Sequence, residues 1–315
     1  MNIVYSSDNN YVQHLCVSMV SLFESNSNVN NINVFIISNG ILEDSKIKLY
    51  STAEKYNRKI TWIDFTPYKE KLILDLEWNI SISSYARLFL AEMLPNECHR
   101  VIYIDCDTVI CSSLQNLFDM DMQAYSVAGV NDLILETFKK KIGLEPTQKY
   151  INAGILLINL EKWRQNNVTS TFLNFINDHR GRVTHHDQGT INGTLFDSCL
   201  ILDPKYNVLT PYYTQKYNRM LKFYHLNEYY SAKQLKAACN NPVIIHFTPE
   251  HVGRVWEDKC SHPMKKLYNY YLEMTPWKGK VYKSKNQTFK QWLIFVIESK
   301  MPICVIDLMR RIAKD

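Results

Sequence analysis

Short apolar runs alternate with longer amphipathic stretches through the first hundred residues. Residues 2–6 (NIVYS) read as a strand, 11–25 as a helix, 32–37 (INVFII) as a strand and 43–57 as a helix. A strand over 59–63 (KITWI), a helix over 83–94 (SSYARLFLAEML) stopped by Pro95, and a strand over 101–105 follow. Alternation of this kind predicts a parallel α/β sheet, with its ligand site beyond the carboxyl ends of the strands. The second half is less regular. It offers strand-like pieces at 126–130, 153–158 and 243–247, and helices near 161–177 and 187–196. No repeat or linker interrupts the chain before about residue 280, so 1–280 reads as one domain and 281–315 as a separate segment.

The strand ends carry the chemistry. In VIYIDCDTVI (101–110) an apolar run closes on Asp105 and Asp107. Residues i and i+2 of an extended chain share a face, so both carboxylates can meet one hard cation, Mg²⁺ or Mn²⁺. The bland alternative is an Asp capping a turn beside a second surface Asp. SSDNNY (6–11) follows the first strand and sets Asp8 and Asn10 beside Tyr11, a carboxylate and an amide for a pyrimidine edge and a ring to stack on it. Asp8 or Asn9 would equally serve as a helix N-cap. Asn152 stands at the mouth of the 153–158 strand, and Asp187 and Gln188 at a helix start where Asp187 could be a cap. His246 ends the 243–247 strand, an imidazole suited to complete a carboxylate metal site or a satisfied surface residue.

Composition narrows the class without choosing a function. Hydrophobic residues make up 46% and charged residues 21%, an ordinary globular balance, and no apolar run reaches the 18 residues of a membrane span. Of the net charge of +5, residues 281–315 hold +4 (seven Lys/Arg against three acids). The main body is therefore nearly neutral and nucleic-acid binding is not expected. Residues 286–312 mix Trp292, Phe295, aliphatics and Lys/Arg around Pro302. Such a segment fits an anionic lipid interface, or simple packing on the domain. Eight scattered cysteines without a CxxC pair, and a chain opening directly into a strand, fit a cytoplasmic protein, peripheral on the inner membrane face if the tail meets lipid.

Taken in order, IVYSSDNNY, SYARLFLAEMLP (84–95), YIDCDTVI (103–110), YINAGILLINLEKWR (150–164), HHDQGTIN (185–192) and IIHF (244–247) resemble the retaining glycosyltransferases of family 8, which include glycogenin and bacterial lipopolysaccharide galactosyl- and glucosyltransferases. The likeness runs from residue 1 to about 277. It implies a GT-A fold: a Rossmann-like nucleotide half fused to an acceptor half around a mixed central sheet, followed here by a helical basic tail. It implies a UDP-glucose or UDP-galactose donor, Mn²⁺ (or Mg²⁺), and a saccharide acceptor in lipopolysaccharide, capsule or another surface glycan, lipid-linked if the tail binds membrane. Carried over by position, Ser6, Asp8, Asn10 and Tyr11 hold the uridine. Arg87 contacts the donor, and Asp105, Asp107 and His246 bind the metal. Asn152, Ala153, Asp187 and Gln188 surround the donor sugar, with Arg87, Asp187 and Gln188 as the catalytic set. The family's last motif, HxxGxxKPW, is altered. Pro249 stands where its Gly belongs, the spacing to Trp256 is two residues longer, and Arg254 takes the place of the Lys on the diphosphate. Two alternatives follow: a catalytically impaired sugar-nucleotide binder, and a DxDxT phosphatase, disfavoured because about 100 residues of α/β pattern precede the motif.

Overall fold

The computed structural model describes residues 1–75, 81–250, 252–284, 297 and 301–312. The apolar runs of the first half form β1 (Asn2–Ser7), β2 (Asn33–Ser38), β3 (Lys59–Asp64) and β4 (Arg100–Ile104). These pair in parallel in the order β3-β2-β1-β4. Beyond β4 the sheet becomes mixed, as the family resemblance implies. β7 (Ile151–Asn159) runs antiparallel to β4, and β6 (Val127–Asn131) antiparallel to β7, while β8 (Cys199–Ile201) is parallel to β6. The reason lies at the end of β4. Instead of entering a crossover helix, the chain turns through residues 105–107 into β5 (Thr108–Ile110), which leaves this sheet. β5 pairs antiparallel with β10 (Ile244–His246), which pairs parallel with β9 (Val208–Leu209) in a second, three-stranded sheet. The Asp105–Asp107 segment is thus the joint between two sheets.

Strand alternation divides the core. Ile3, Tyr5, Ile102 and Ile104 pack on one face with the helix Val12–Ser25, while Val4, Val101 and Tyr103 pack on the other with Tyr85, Leu88 and Trp163. β7, apolar along most of its length, is buried on both faces, as expected of a strand between β4 and β6.

Two helices differ from the sequence reading. Residues 83–94 form a 3₁₀ helix, Ile82–Phe89, followed by a single α-turn, Leu90–Met93. Three residues per turn bring Ser84 and Arg87 onto one side, and both reach the same carboxylate, Asp187. The 161–177 helix is broken in two, Leu160–Gln165 and Val168–Asp178, by Asn167 in the left-handed region (φ 48°).

After Pro302 a helix, Ile303–Ile312, packs on the helix Tyr217–Tyr224. Ile306 is buried there, His225 Nε2 lies 2.9 Å from Asp307, and Arg219 donates to the Met301 carbonyl. Trp292 and Phe295 lie outside the described residues. Among the described residues no helix is long and apolar enough to cross a membrane.

Candidate active site

Strand ends from both sheets converge on the joint. Asp105 is anchored by its own N–H, which donates to the Gly154 carbonyl on β7 at 2.8 Å. The register that pairs His246 with Thr108 brings the imidazole over the same loop. His246 Nε2 lies 3.2 Å from Asp107 Oδ1 and 4.0 Å from Asp105 Oδ2. One ligand atom from each of the three residues falls within 4.8 Å of the others. Two carboxylates and one imidazole form a donor set that fits a divalent cation.

The electrostatics agree. Burial pushes the Asp105 carboxyl up, and Arg87 and His246 pull it only part of the way back. Asp107 is also opposed by burial, but His246 and then Arg254 more than offset it and hold the carboxyl below its usual range. Burial works against the His246 cation, and Asp107 and Asp105 reverse the balance and raise it. Positive charge around the joint thus offsets the desolvation of both acids, more than fully for Asp107 and only in part for Asp105.

Arg87 is tied closely into the protein at the border of both cavities. It is 3% exposed, and its guanidinium lies 4.3 Å from the Tyr103 ring. Nη2 donates to Asp105 Oδ1 at 2.8 Å, Nε pairs with Asp187 Oδ2 at 3.0 Å, and Nη1 bonds the Ala153 carbonyl. These contacts make it a brace between two carboxylates that also borders the cleft.

Asp187 and Gln188 open the helix His186–Leu195. Two successive left-handed residues, His185 (φ 61°) and His186 (φ 55°), swing the chain into it, and Gly189 lies so close to the Thr184 carbonyl that a β-carbon would overlap it. Asp187 is not a cap. Its Oδ1 accepts from Ser84 Oγ at 2.7 Å and its Oδ2 faces Arg87. Gln188 Oε1 accepts from the Ala153 N–H at 3.0 Å, and Nε2 donates to Asp132 Oδ2 at 2.8 Å. Asn152 accepts from Gly154 N–H and from Asn207 Nδ2.

At the other end, Asp8 and Asn9 are not helix caps either, since Tyr11 occupies that position. Asp8 Oδ2 takes a 2.7 Å bond from Ser81 Oγ. Ser6, Asp8 and Tyr11 border the cleft, whereas Asn10 is exposed, outside the cleft lining, and its backbone N–H bonds Asp8 Oδ1. Tyr11 meets Trp256 edge-on at 5.7 Å. Arg254, reached through the lengthened loop, sits 3.3 Å from Asp107 Oδ2 and borders the same cleft. Cys106 donates its thiol to the Ser6 carbonyl and ties β1 to the joint.

Two adjoining cavities, of about 320 and 260 Å³, share Ser84, Arg87, Asp105, Asn152 and His246 as their common wall. Several residues here escaped the sequence reading. Asp132, directly after β6, obeys the strand-end rule that found Asp105, and burial raises its carboxyl. Ser81, Ser83 and Ser84 sit in an undistinguished SISSY stretch, and Asn207 carries no local signal.

An open sheet with its polar strand ends gathered around an acidic, metal-competent joint defines a GT-A-type glycosyltransferase. The galactosyltransferase LgtC, solved in complex with donor and acceptor sugar analogs, has this fold with a TM-score of 0.72 at 24% identity, over 88% of this chain and 96% of that one. Residues 2–260 match Glycosyl transferase family 8, and the chain belongs to that family. General stress protein A of Bacillus subtilis (strain 168) is 30% identical over 280 residues, 88% of this chain and 94% of the relative. Lipopolysaccharide 1,2-glucosyltransferase of Escherichia coli K12 is 25% identical over 282 residues, 88% of this chain and 79% of the relative.

Proposed function

We propose that this glycosyltransferase moves glucose or galactose, with retention, from a UDP-sugar to a saccharide acceptor in surface-glycan synthesis, using Mn²⁺ held by Asp105, Asp107 and His246. The observation that carries the reading is the approach of those three ligand groups to within 4.8 Å on the wall of the larger cavity, where Asp105 and His246 also border the smaller one. One cavity would take the nucleotide, against Ser6, Asp8 and Tyr11, and the other the sugar, against Asn152, Ala153, Asp187 and Gln188. A divalent cation bound there supplies charge neutralisation to the diphosphate as it departs. Arg254 adds a fixed positive charge on the same wall, preorganised for developing negative charge. Its presence speaks against an impaired binder.

The route to retention follows from which groups are already engaged. Both Asp187 oxygens are taken, by Ser84 and Arg87. Gln188 is held at both ends by Ala153 and Asp132. Each is already held in place by protein groups, which supports a front-face route in which the leaving phosphate accepts the acceptor's proton.

The test is UDP release from UDP-glucose and UDP-galactose with and without Mn²⁺, with Asp107→Ala as control. Metal-dependent turnover lost in the variant is expected, and release that ignores both metal and variant refutes the reading. A glycosyl-enzyme trapped on Asp187 would overturn the front-face route. A cytoplasmic location with peripheral lipid contact through 281–315 belongs to the same proposal. Deletion of 281–315 is expected to abolish liposome sedimentation, and unchanged binding sinks it.

A further inference from the structure

His246 can serve a cation through Nε2 only if its other ring nitrogen carries the proton. The imidazole cannot settle this itself, but a chain of amides behind it does. The chain starts at a group whose polarity is beyond dispute, the backbone N–H of Gly154, which donates to Asn152 Oδ1 at 3.0 Å. That fixes the Asn152 side chain with its oxygen toward Gly154. The same oxygen lies 2.9 Å from the Asn207 amide, so Asn207 must present Nδ2 there, because the reverse orientation sets two acceptors against each other. Asn207 then turns Oδ1 to His246 Nδ1, at 3.1 Å. An acceptor facing Nδ1 requires Nδ1–H, so the nitrogen that can give up its proton to a cation is Nε2, which faces Asp107 and Asp105. Asn207 is fully buried, so no water competes for its amide and the alternative orientation has no partner to rescue it.

We propose that Asn207, oriented by Asn152, is a positioning residue that fixes His246 in the Nδ1–H tautomer and aims its bare Nε2 at the cation. The inference rests on the metal reading above. Asn152 therefore plays two parts, since it borders the sugar cavity and also transmits the polarity of the β7 backbone to the metal ligand. Asp132 closes the network from the opposite side, holding Gln188 and drawing a hydrogen bond from Asn152. The backbone that presents Ala153 and Gly154 to the site thus also dictates which nitrogen of His246 is available.

The test uses the intact chain in two arms. Mn²⁺ alone is titrated by electron paramagnetic resonance into wild type, Asn207→Leu and Asn207→Asp. Leucine fills a similar volume without an acceptor, and its Mn²⁺ dissociation constant is expected to rise about 10- to 100-fold. Aspartate keeps an oxygen for Nδ1–H but sets its other oxygen against Asn152 Oδ1, so it is expected to bind Mn²⁺ more tightly than leucine and more weakly than wild type. A folded Asn207→Leu protein that binds Mn²⁺ as wild type does overturns the proposal, since packing alone would then account for the residue. The second arm is independent of the variants' folding. Ring ¹⁵N–¹H correlation spectra of ¹⁵N-histidine-labelled wild type saturated with diamagnetic Cd²⁺, so that no proton lies between Nε2 and Asp107, report which ring nitrogen keeps its hydrogen. The resonance missing from His246→Gln identifies the residue. Nδ1–H supports the proposal and Nε2–H overturns it. A wild-type protein that bound no Mn²⁺ would remove the metal reading, whereas wild-type binding retained by Asn207→Leu would remove only the positioning role, so the two failures are distinguishable.

Discussion

Gly154→Ala tests how tightly the metal ligand is packed. Gly154 lies on β7 beneath the imidazole, and a β-carbon built there falls 2.7 Å from His246 Nδ1, nearer still to Cε1, and 3.0 Å from Asn152 Oδ1. Ordinary contact begins at 3.4 Å, so the ring would have to retreat by about 0.7 Å at Nδ1 and further at Cε1. It has little room, because Nδ1 is held by Asn207 and Nε2 faces Asp107. Metal–ligand distances tolerate about 0.2 Å, so a displacement several times larger removes His246 as a ligand or strains the site. The expected loss in Mn²⁺ affinity is about 10- to 100-fold, or roughly 1.4 to 2.8 kcal/mol. Direct Mn²⁺ titration measures it, alongside thermal unfolding. Gly129→Ala is the control: its β-carbon meets only the Ile151 side chain, at 2.8 Å, so stability should fall while metal affinity holds. A folded Gly154→Ala protein with wild-type Mn²⁺ affinity would refute the steric locking of His246.

Arg87→Met leaves Asp105 and Asp187 without their shared cation and should cost about 3–5 kcal/mol, a Tm drop of roughly 10 °C by differential scanning fluorimetry, with Arg87→Lys rescuing only in part because it lacks the fork that bridges both acids. An unchanged Tm would deny the brace. Arg254→Met should weaken UDP binding by about tenfold or more while Mn²⁺ affinity holds or rises, since a competing cation leaves Asp107; calorimetry showing weakened metal binding would contradict this. Burial lowers the His14 imidazole to about 3 and that of His262 to about 4. The unfolded chain takes up protons near pH 6.5 that these buried rings refuse, so their contribution is complete above that pH and is lost on acidification, by about 1 kcal/mol per pH unit for each. Urea unfolding between pH 7.5 and 4.5 should show this slope, flattened in His14→Phe; an equal slope in that variant would remove His14 as its source.

Much of the fold was readable because local rules and tertiary context coincide there. β1 to β4 are short apolar runs in a regular α/β alternation, and Asp105, Asp107 and His246 stand where strands end. The antiparallel insertion of β7 was invisible to that alternation, because its apolar run reads alike in either direction and pairing is a long-range choice. The 3₁₀ geometry of 82–89 is likewise a tertiary result, drawn out by what Ser84 and Arg87 must reach. Asp132 stands at the end of the 126–130 run, where the strand-end rule reaches it. Asn207 lies beyond any such rule. Its importance comes from what lies 3.1 Å away across 39 residues of chain, and an isolated asparagine announces no partner.

The joint at residues 105–107 has a mechanical consequence. Asp105 leaves the seven-stranded sheet, and His246 belongs to the three-stranded one, so a cation bound by both acts as a rivet through two separately hydrogen-bonded layers. Anything that binds only the assembled form stabilises it, by about 2.7 kcal/mol at a hundredfold excess over the dissociation constant. Occupancy should therefore register as melting temperature with no sugar present. Metal starvation would slacken the seam between the sheets as well as empty the site.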